Sequence, residues 1–355
     1  MKIAVIGTRG FPDIQGGVEQ HCEKIYPRMK NDDKIIVYRR KDYLTSQSQV
    51  SYSNISYIDL PSTRIKGFEA LFHTFLCCLH LIFHRVDIVH IHNIGPGLFT
   101  PLLRMFGIKV VLTYHSANYE HDKWGKVSKM ILKFSEYLSL NFANKIIFVN
   151  KFQMKKYSSD ILQKSIYIPN GVENTTCSDQ KHFIEKYGII ENNYVLGVGR
   201  LTPEKGFEYL ISAINKTDEI PQLVIAGASD HDKSYLEKLK QLDINNKVVF
   251  TGFTSGEDLR QLYSHARMFV LSSLNEGFPL VMLEAMGYGL PMVLSDIPAT
   301  HLIEFPDEFY AKKGNVESFI NQIKTIWHLP KQVYDLSEFD WNSIADKTQS
   351  LYKKV

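Results

Sequence analysis

Five side chains at the ends of short apolar runs are of types that handle charged or hydroxyl-bearing ligands. In GVGRLTPEKGFEYL, Gly197 to Leu210, a strand-like run ends at Val198, and Arg200 and Lys205 flank a Pro-Glu turn ahead of a helix. Two cations at a strand's carboxyl end, beside a helix amino terminus, suit a diphosphate. A surface turn with solvated charges is the plain alternative for this stretch taken alone. In NEGFPLVMLEAMGYGLP, Asn275 to Pro291, Glu276 follows MFVLSS directly, and Gly277, Phe278, Pro279 and Leu280 lead into a helix. Backbone N–H groups at such a start can hold an anion, and proline is expected near it. Glu284 then stands among Val281, Met282, Leu283, Ala285 and Met286. Buried unpaired glutamates are rare, so this carboxylate is read as a ligand group, favoured by the helix dipole and able to accept hydrogen bonds from hydroxyls. His115 ends VVLTYHS, again at a strand's carboxyl end, while His92 after DIVHIH is read as structural. A nucleotide sugar combines these demands: its diphosphate calls for cations and amides, its ribose and hexose for carboxylate acceptors.

The elements that must position these groups alternate strand and helix twice over. The first half reads KIAVIG, a glycine-rich loop, a helix near Val18 to Lys30, KIIVYRR, ISYIDL, an apolar helix over Phe68 to His84, VDIVHIHN ending at a Gly-Pro-Gly loop, KVVLTYHS, a helix near Lys126 to Ala143, KIIFVN and SIYIPNG. The pattern restarts after the polar stretch Glu173 to Gln180, with YVLGVGR, QLVIAG, VVFTG, MFVLSS and PMVLSD separated by helices near Gly206 to Ile214, Lys233 to Leu242, Gly256 to His265 and after Phe278. Short β-rich runs separated by helices predict parallel sheets covered on both faces. The fold expected is α/β, two doubly wound Rossmann-like domains facing across a cleft, with ligands beyond the strands' carboxyl ends. Domain one is placed at 1–172 and domain two at 173–337. The amphipathic segment 338–355, carrying Trp341, Ile344 and Leu351 on one side, either closes the second domain or crosses back to the first.

Composition bounds the function. At 355 residues, 44% hydrophobic and 22% charged, the chain is of soluble globular type and of two-domain length. No basic-then-hydrophobic leader precedes the first strand. The most apolar stretch, Phe68 to Phe83, is interrupted by Glu69, His73 and His80 and falls short of the roughly 20 apolar residues a spanning helix needs. Cys22, Cys77, Cys78 and Cys177 lack metal-ligand or disulfide spacing, which suits a reducing cytoplasm. Charge is uneven: residues 1–170 hold 23 Lys and Arg against 13 Asp and Glu, or +10, and the remainder holds 18 against 25, or −7. A basic first half facing an anionic surface and a merely solvated lysine-rich face are equal readings of that split.

GRLTPEKGFEYL followed by NEGFPLVMLEAMGYGLPMVLSD resembles the retaining glycosyltransferases of family four, which have the GT-B fold. The carrying features are Arg and Lys five apart, then two glutamates separated by seven residues, each in strand–loop–helix context. GTRGFPDIQGGVEQ and TYHSANYEHDKWGK are similar to a branch used in bacterial surface-polysaccharide assembly that includes rhamnosyltransferase-type enzymes. The resemblance implies transfer, with retention and without metal or other cofactor, of a hexose or deoxyhexose from a nucleoside-diphosphate sugar to a saccharide acceptor carried on a polyprenyl-diphosphate lipid. It implies that Arg200 and Lys205 bind the donor diphosphate, Glu276 and His115 the transferred sugar, and Glu284 the ribose. Gly16 and Gly17 would let backbone approach donor or acceptor.

Three further expectations follow. Lys123, Lys126, Lys129 and Lys133, with Lys151, Lys155 and Lys156, would meet anionic lipid at the inner face of the cytoplasmic membrane, and nucleic acid is not an expected partner. Asp230-His231-Asp232 is read as a helix N-cap rather than a metal motif. A dinucleotide-dependent oxidoreductase is the first rival, weakened because Gly7-Thr8-Arg9-Gly10 breaks G-x-G-x-x-G spacing; a non-catalytic sugar-nucleotide-binding protein of the same fold is the second.

Overall fold

A parallel strand buried on both faces needs apolar side chains on both faces, and Ile3, Ala4, Val5 and Ile6 of the first strand are all fully buried. The computed structural model of the chain describes residues 1–30, 33–44, 50–63, 65, 68–120, 125–229 and 234–355. The Asp230-His231-Asp232 motif and Lys123 lie outside the described residues. Two compact units form: Met1–Gly171 with Phe339–Val355, and Val172–Glu338.

The first unit is built on seven strands: β1 (Lys2–Ile6), β2 (Lys34–Arg40), β3 (Ile55–Leu60), β4 (Ile88–His92), β5 (Lys109–Tyr114), β6 (Lys145–Phe148) and β7 (Ser165–Tyr167). Every pairing is parallel, in the order β3-β2-β1-β4-β5-β6-β7. Strand order reverses between β1 and β4, the place where such sheets open a crevice at their carboxyl ends. The helix Gly17–Ile25 stops earlier than the sequence pattern predicts, because Pro27 converts its continuation into the 3₁₀ turn Tyr26–Arg28. The Gly-Pro-Gly segment, expected as a loop, is a 3₁₀ turn Pro96–Phe99 running into the helix Thr100–Met105; Pro96 and Pro101 each stand in a first turn, where a missing N–H costs nothing.

The last helix, Trp341–Tyr352, packs on this first unit although it follows the second in sequence. Asp340 caps it by accepting from the Ser343 N–H at 2.8 Å. Trp341 and Tyr352 are almost wholly buried, and Gln349 donates to Asp33 at 2.7 Å and accepts from the Lys30 N–H at 3.0 Å.

The second unit carries β8 (Tyr194–Val198), β9 (Gln222–Ala226), β10 (Val248–Gly252), β11 (Met268–Leu271), β12 (Met292–Ser295) and β13 (Tyr310–Ala311), all parallel, in the order β10-β9-β8-β11-β12-β13. Its reversal lies between β8 and β11. No element is expected from the sequence over residues 297–337; the structure places β13 there, and a helix Val316–Trp327 that buries Phe319, Ile320, Ile323 and Ile326.

Candidate functional site

In the second unit, the two strands flanking the reversal deliver the predicted residues to one end of the sheet. Arg200 and Lys205 follow β8; Glu276 follows β11, its parallel neighbour. The loop after β8 makes a 3₁₀ turn, Pro203–Lys205, and then Gly206 opens the helix Phe207–Asn215. Gly206 sits at φ 61°, and a Cβ there would stand 2.3 Å from the Ser272 carbonyl oxygen. Only glycine allows this turn to press against the exit of β11. Two bonds lace the loops together: Ser272 Oγ donates to the Lys205 carbonyl at 2.9 Å, and the Leu274 N–H to the Glu204 carbonyl at 2.8 Å.

That close approach joins the charged groups. Lys205 Nζ donates to Glu276 Oε1 at 2.5 Å, with only 17% and 14% of the two side chains exposed. Ser273 Oγ donates to the same oxygen at 2.7 Å. Neither Ser273 nor this pairing is foreseen from sequence, although Ser273 stands three residues before Glu276. Arg200 lies half-buried in the same loop, its carbonyl accepting from the Thr202 N–H at 2.9 Å.

The helix after Glu276 runs over Leu280–Gly287, with Pro279 as its N-cap and no side-chain cap bond. Its first turn therefore keeps the anion-binding character of an uncapped amino terminus. Phe278 and Leu280 are buried, and Pro279 has no N–H to offer a ligand. Glu284 is the fifth of the helix's eight residues, and no acid occupies the first turn. The dipole contribution expected for it therefore does not apply, since that effect fades beyond the first turn. What holds Glu284 is Tyr263, whose hydroxyl donates to Oε2 at 2.8 Å while its ring stacks on Tyr288 at 5.2 Å.

In the first unit, Gly16 at φ 153° precedes the helix Gly17–Ile25, and a Cβ on it would collide with Glu19 Oε2 at 2.0 Å. Glu19 also accepts from the Arg9 N–H at 2.9 Å. Gly16 is thus required by the loop's own packing. A Cβ on Gly17 would meet nothing within 4 Å, so this position opens on space.

His115, directly after β5, belongs to a buried imidazole network that the sequence reading does not anticipate. Its Nε2 lies 3.0 Å from His92 Nδ1; His92 Nε2 lies 2.7 Å from the Tyr26 hydroxyl, which reaches His90 Nδ1 at 2.8 Å. His90 continues to Tyr352 at 2.6 Å and Thr113 at 2.7 Å, and His21 Nδ1 meets Asn170 at 2.9 Å. The signal was present: in VHIH the imidazoles at 90 and 92 share one strand face, and buried polar groups on a core face must find partners. His92 does take the structural place expected of it, as the hub of this chain.

Burial pushes His21 down to about 4, against the opposing bond to Asn170, and His90 down to about 3. Burial, reinforced by the neighbouring imidazoles, holds His92 and His115 well below the ordinary range. All four are neutral near pH 7. Among the described residues, ring nitrogens of His21, His92 and His115 lie within 4.8 Å of one another and form a set of metal-capable type.

The depressed values set a sign. Above the unfolded value near 6.5 neither state is protonated and the full stability is present; below it the unfolded chain takes protons that the folded chain refuses. Stability is lost as pH falls from 6.5 towards 4, by about 3 kcal/mol from His21 alone. Thermal unfolding across this range should show a shallower decline in His21→Gln than in the native chain. Parallel curves would contradict the account.

The family Glycosyltransferase Family 4 matches residues 15–175, and Glycosyl transferases group 1 matches residues 179–339. An uncharacterized glycosyltransferase of Methanocaldococcus jannaschii is 32% identical over 99% of this chain and 98% of its own length. The UDP-Gal:alpha-D-GlcNAc-diphosphoundecaprenol alpha-1,3-galactosyltransferase of Escherichia coli is 30% identical over 67% of this chain and 66% of its own. Among solved structures, sucrose-phosphate synthase from Thermosynechococcus elongatus superposes with a TM-score of 0.80 at 23% identity, covering 99% of this chain and 98% of that one, and shares its fold. The chain therefore belongs to the glycosyltransferases of group 1 and family 4, with the GT-B architecture of two parallel-sheet Rossmann-like domains.

Proposed function

We propose that this glycosyltransferase moves a hexose or deoxyhexose from a nucleoside-diphosphate sugar to a lipid-linked saccharide acceptor, with retention and without a metal, in surface-polysaccharide assembly. The observation that carries the reading is the Lys205–Glu276 pair at the β8–β11 reversal, beside Arg200 and the uncapped helix start at Leu280. As the pair stands, Glu276 neutralises Lys205. A diphosphate arriving at this end competes for the ammonium, which has three protons to share. The carboxylate, still anchored by Ser273, then turns its acceptor sites to sugar hydroxyls. Arg200, Lys205 and the amides of the helix start stabilise the negative charge that grows on the leaving diphosphate as the glycosidic C–O bond breaks. Preorganised charge of this kind is commonly the largest catalytic term.

Glu284, held by Tyr263, accepts from the ribose. His115 keeps the part that the family resemblance implies, contact with the transferred sugar; its Nε2 is engaged with His92, which leaves Nδ1 for the ligand. Attack on the same face of the sugar, with the leaving phosphate taking the acceptor's proton, gives retention. The relative from Escherichia coli, whose acceptor by name is a sugar on diphosphoundecaprenol, supports a polyprenyl-linked acceptor.

Incubating the chain with a panel of nucleotide sugars and polyprenyl-diphosphate saccharides, with and without a chelator, tests this. The reading expects one donor to be consumed, an axial or equatorial linkage matching that donor by NMR, and no loss with chelator. An inverted linkage, or donor turnover restored only by a divalent cation, would overturn the corresponding part.

A further inference from the structure

Three helical segments of the first unit lie side by side over one face of its sheet. Cys77, Cys78 and Leu81 of the helix Glu69–Phe83, Leu103 of Thr100–Met105 and Leu140 of Lys126–Phe142 all enter the same core cluster with the strands. Phe75 meets Phe99 of the intervening turn at 5.9 Å, and Ser135 on the third helix donates to the Ile94 carbonyl at 2.5 Å. Their outer faces therefore look away from the sheet on the same side.

Those faces are apolar. Phe68, Phe72, Phe75, Leu79 and Phe83 are exposed, Phe83 by 81%, and their spacing of four, three, four and four residues makes one stripe down the first helix. Met105 is 83% exposed between the two longer helices. On the third, Val127, Met130, Phe134 and Tyr137 form a second stripe, exposed by 56% to 67%. Of the nineteen exposed large hydrophobic residues among those described, twelve belong to this layer. Scattered exposed apolar residues need no explanation, but a concentration of this kind marks an interaction surface.

Charge selects the partner. Lys126 and Lys133 are exposed alongside the second stripe, with Lys129 beside them. The one acid of that helix, Glu136, is turned inward, where the hydroxyls of Tyr114, Tyr119 and Tyr157 donate to it at 2.5, 3.2 and 2.8 Å. The outer face thus offers cations and aromatic residues with no acid of its own helix. Aromatic and aliphatic side chains flanked by lysines fit the boundary between acyl chains and anionic headgroups. Among the described residues no helix is long and apolar enough to cross a membrane.

We infer that this three-helix face is the protein's docking surface for an anionic lipid bilayer, lying in the plane of the interface. In the second lysine group, Lys156 lies 4.0 Å from an acid, Glu120, with both side chains exposed. The inference does not depend on the donor site of the second unit, and its readout is binding rather than turnover.

Vesicle flotation of the full chain tests it, with phosphatidylcholine alone and with phosphatidylcholine mixed with phosphatidylglycerol. The native chain should float with the mixed vesicles. Lys126→Glu with Lys133→Glu should weaken that binding by at least about tenfold, since each lysine near an anionic surface contributes an interaction of this order. Met130→Ser with Phe134→Ser should weaken it comparably, and high salt should release the lysine-dependent part. These positions are exposed, so the variants should unfold at the native temperature and retain donor turnover. Native protein that stays with neither vesicle, variants that float as well as the native chain, or a stable dimer that dissociates in the Met130/Phe134 variant without vesicle binding would each overturn the inference.

Discussion

Lys205→Ala should lower kcat/KM by about a hundred- to a thousandfold, equivalent to about 2.7–4 kcal/mol of transition-state stabilisation. The ammonium is nearly enclosed and bonded at 2.5 Å to Glu276, and the turn that carries it is pinned by Gly206 and Ser272. It is therefore placed before substrate arrives, and its loss cannot be repaired by a flexible neighbour. The fall should appear in kcat as well as in kcat/KM, because the charge it meets grows as the bond breaks. Glu276→Gln should also lower turnover, since the amide can still meet Ser273 but loses the charge. The double variant should lose less than the two single losses combined, because the partners share one bond. Steady-state kinetics on the three variants decides this; strict additivity would separate the two residues into independent roles.

The second large effect falls on stability. Trp341→Ala should destabilise the chain by about 3–5 kcal/mol, the usual cost of emptying a buried aromatic site. Trp341 is 2% exposed, stands edge-on to His21 at 5.6 Å, and covers Gly171, where a Cβ would lie 2.7 Å from the indole. The loss belongs to the first unit, although the residue follows the second in sequence. For a unit of this size the midpoint should fall by roughly 10 °C. Calorimetry should show the transition of the first unit moving, with Trp341→Phe recovering part of it. An unmoved transition would mean that the last helix contributes little to the first unit.

Much of this was legible in the sequence. Strand-length apolar runs separated by helical periods predicted two parallel sheets, and the chemistry-bearing residues of the second half were read at strand ends, where the structure places Arg200, Lys205 and Glu276. What escaped depends on contacts between distant segments. The 2.5 Å bond between Lys205 and Glu276 joins residues 71 apart, and nothing local encodes it. Glu284 was assigned its environment from helix position, whereas a tyrosine from another helix supplies it. The imidazole chain draws on four strands and helices and on Tyr352, so that His115 alone was visible as a candidate. The helix Val316–Trp327 was a different kind of omission: its apolar spacing and the Asn315 cap were local and readable.

The central claim is that the carboxyl ends of β8 and β11 hold a nucleoside diphosphate. Isothermal titration with a panel of nucleoside diphosphates and the matching monophosphates tests it, on the native chain and on Arg200→Ala/Lys205→Ala. The account predicts that at least one diphosphate binds, that its monophosphate binds at least about tenfold more weakly, and that the double variant loses this preference, in line with charge-assisted contacts of about 1.5–3 kcal/mol each. A native chain that binds no member of the panel, or a variant that keeps the full preference for the diphosphate, would contradict it.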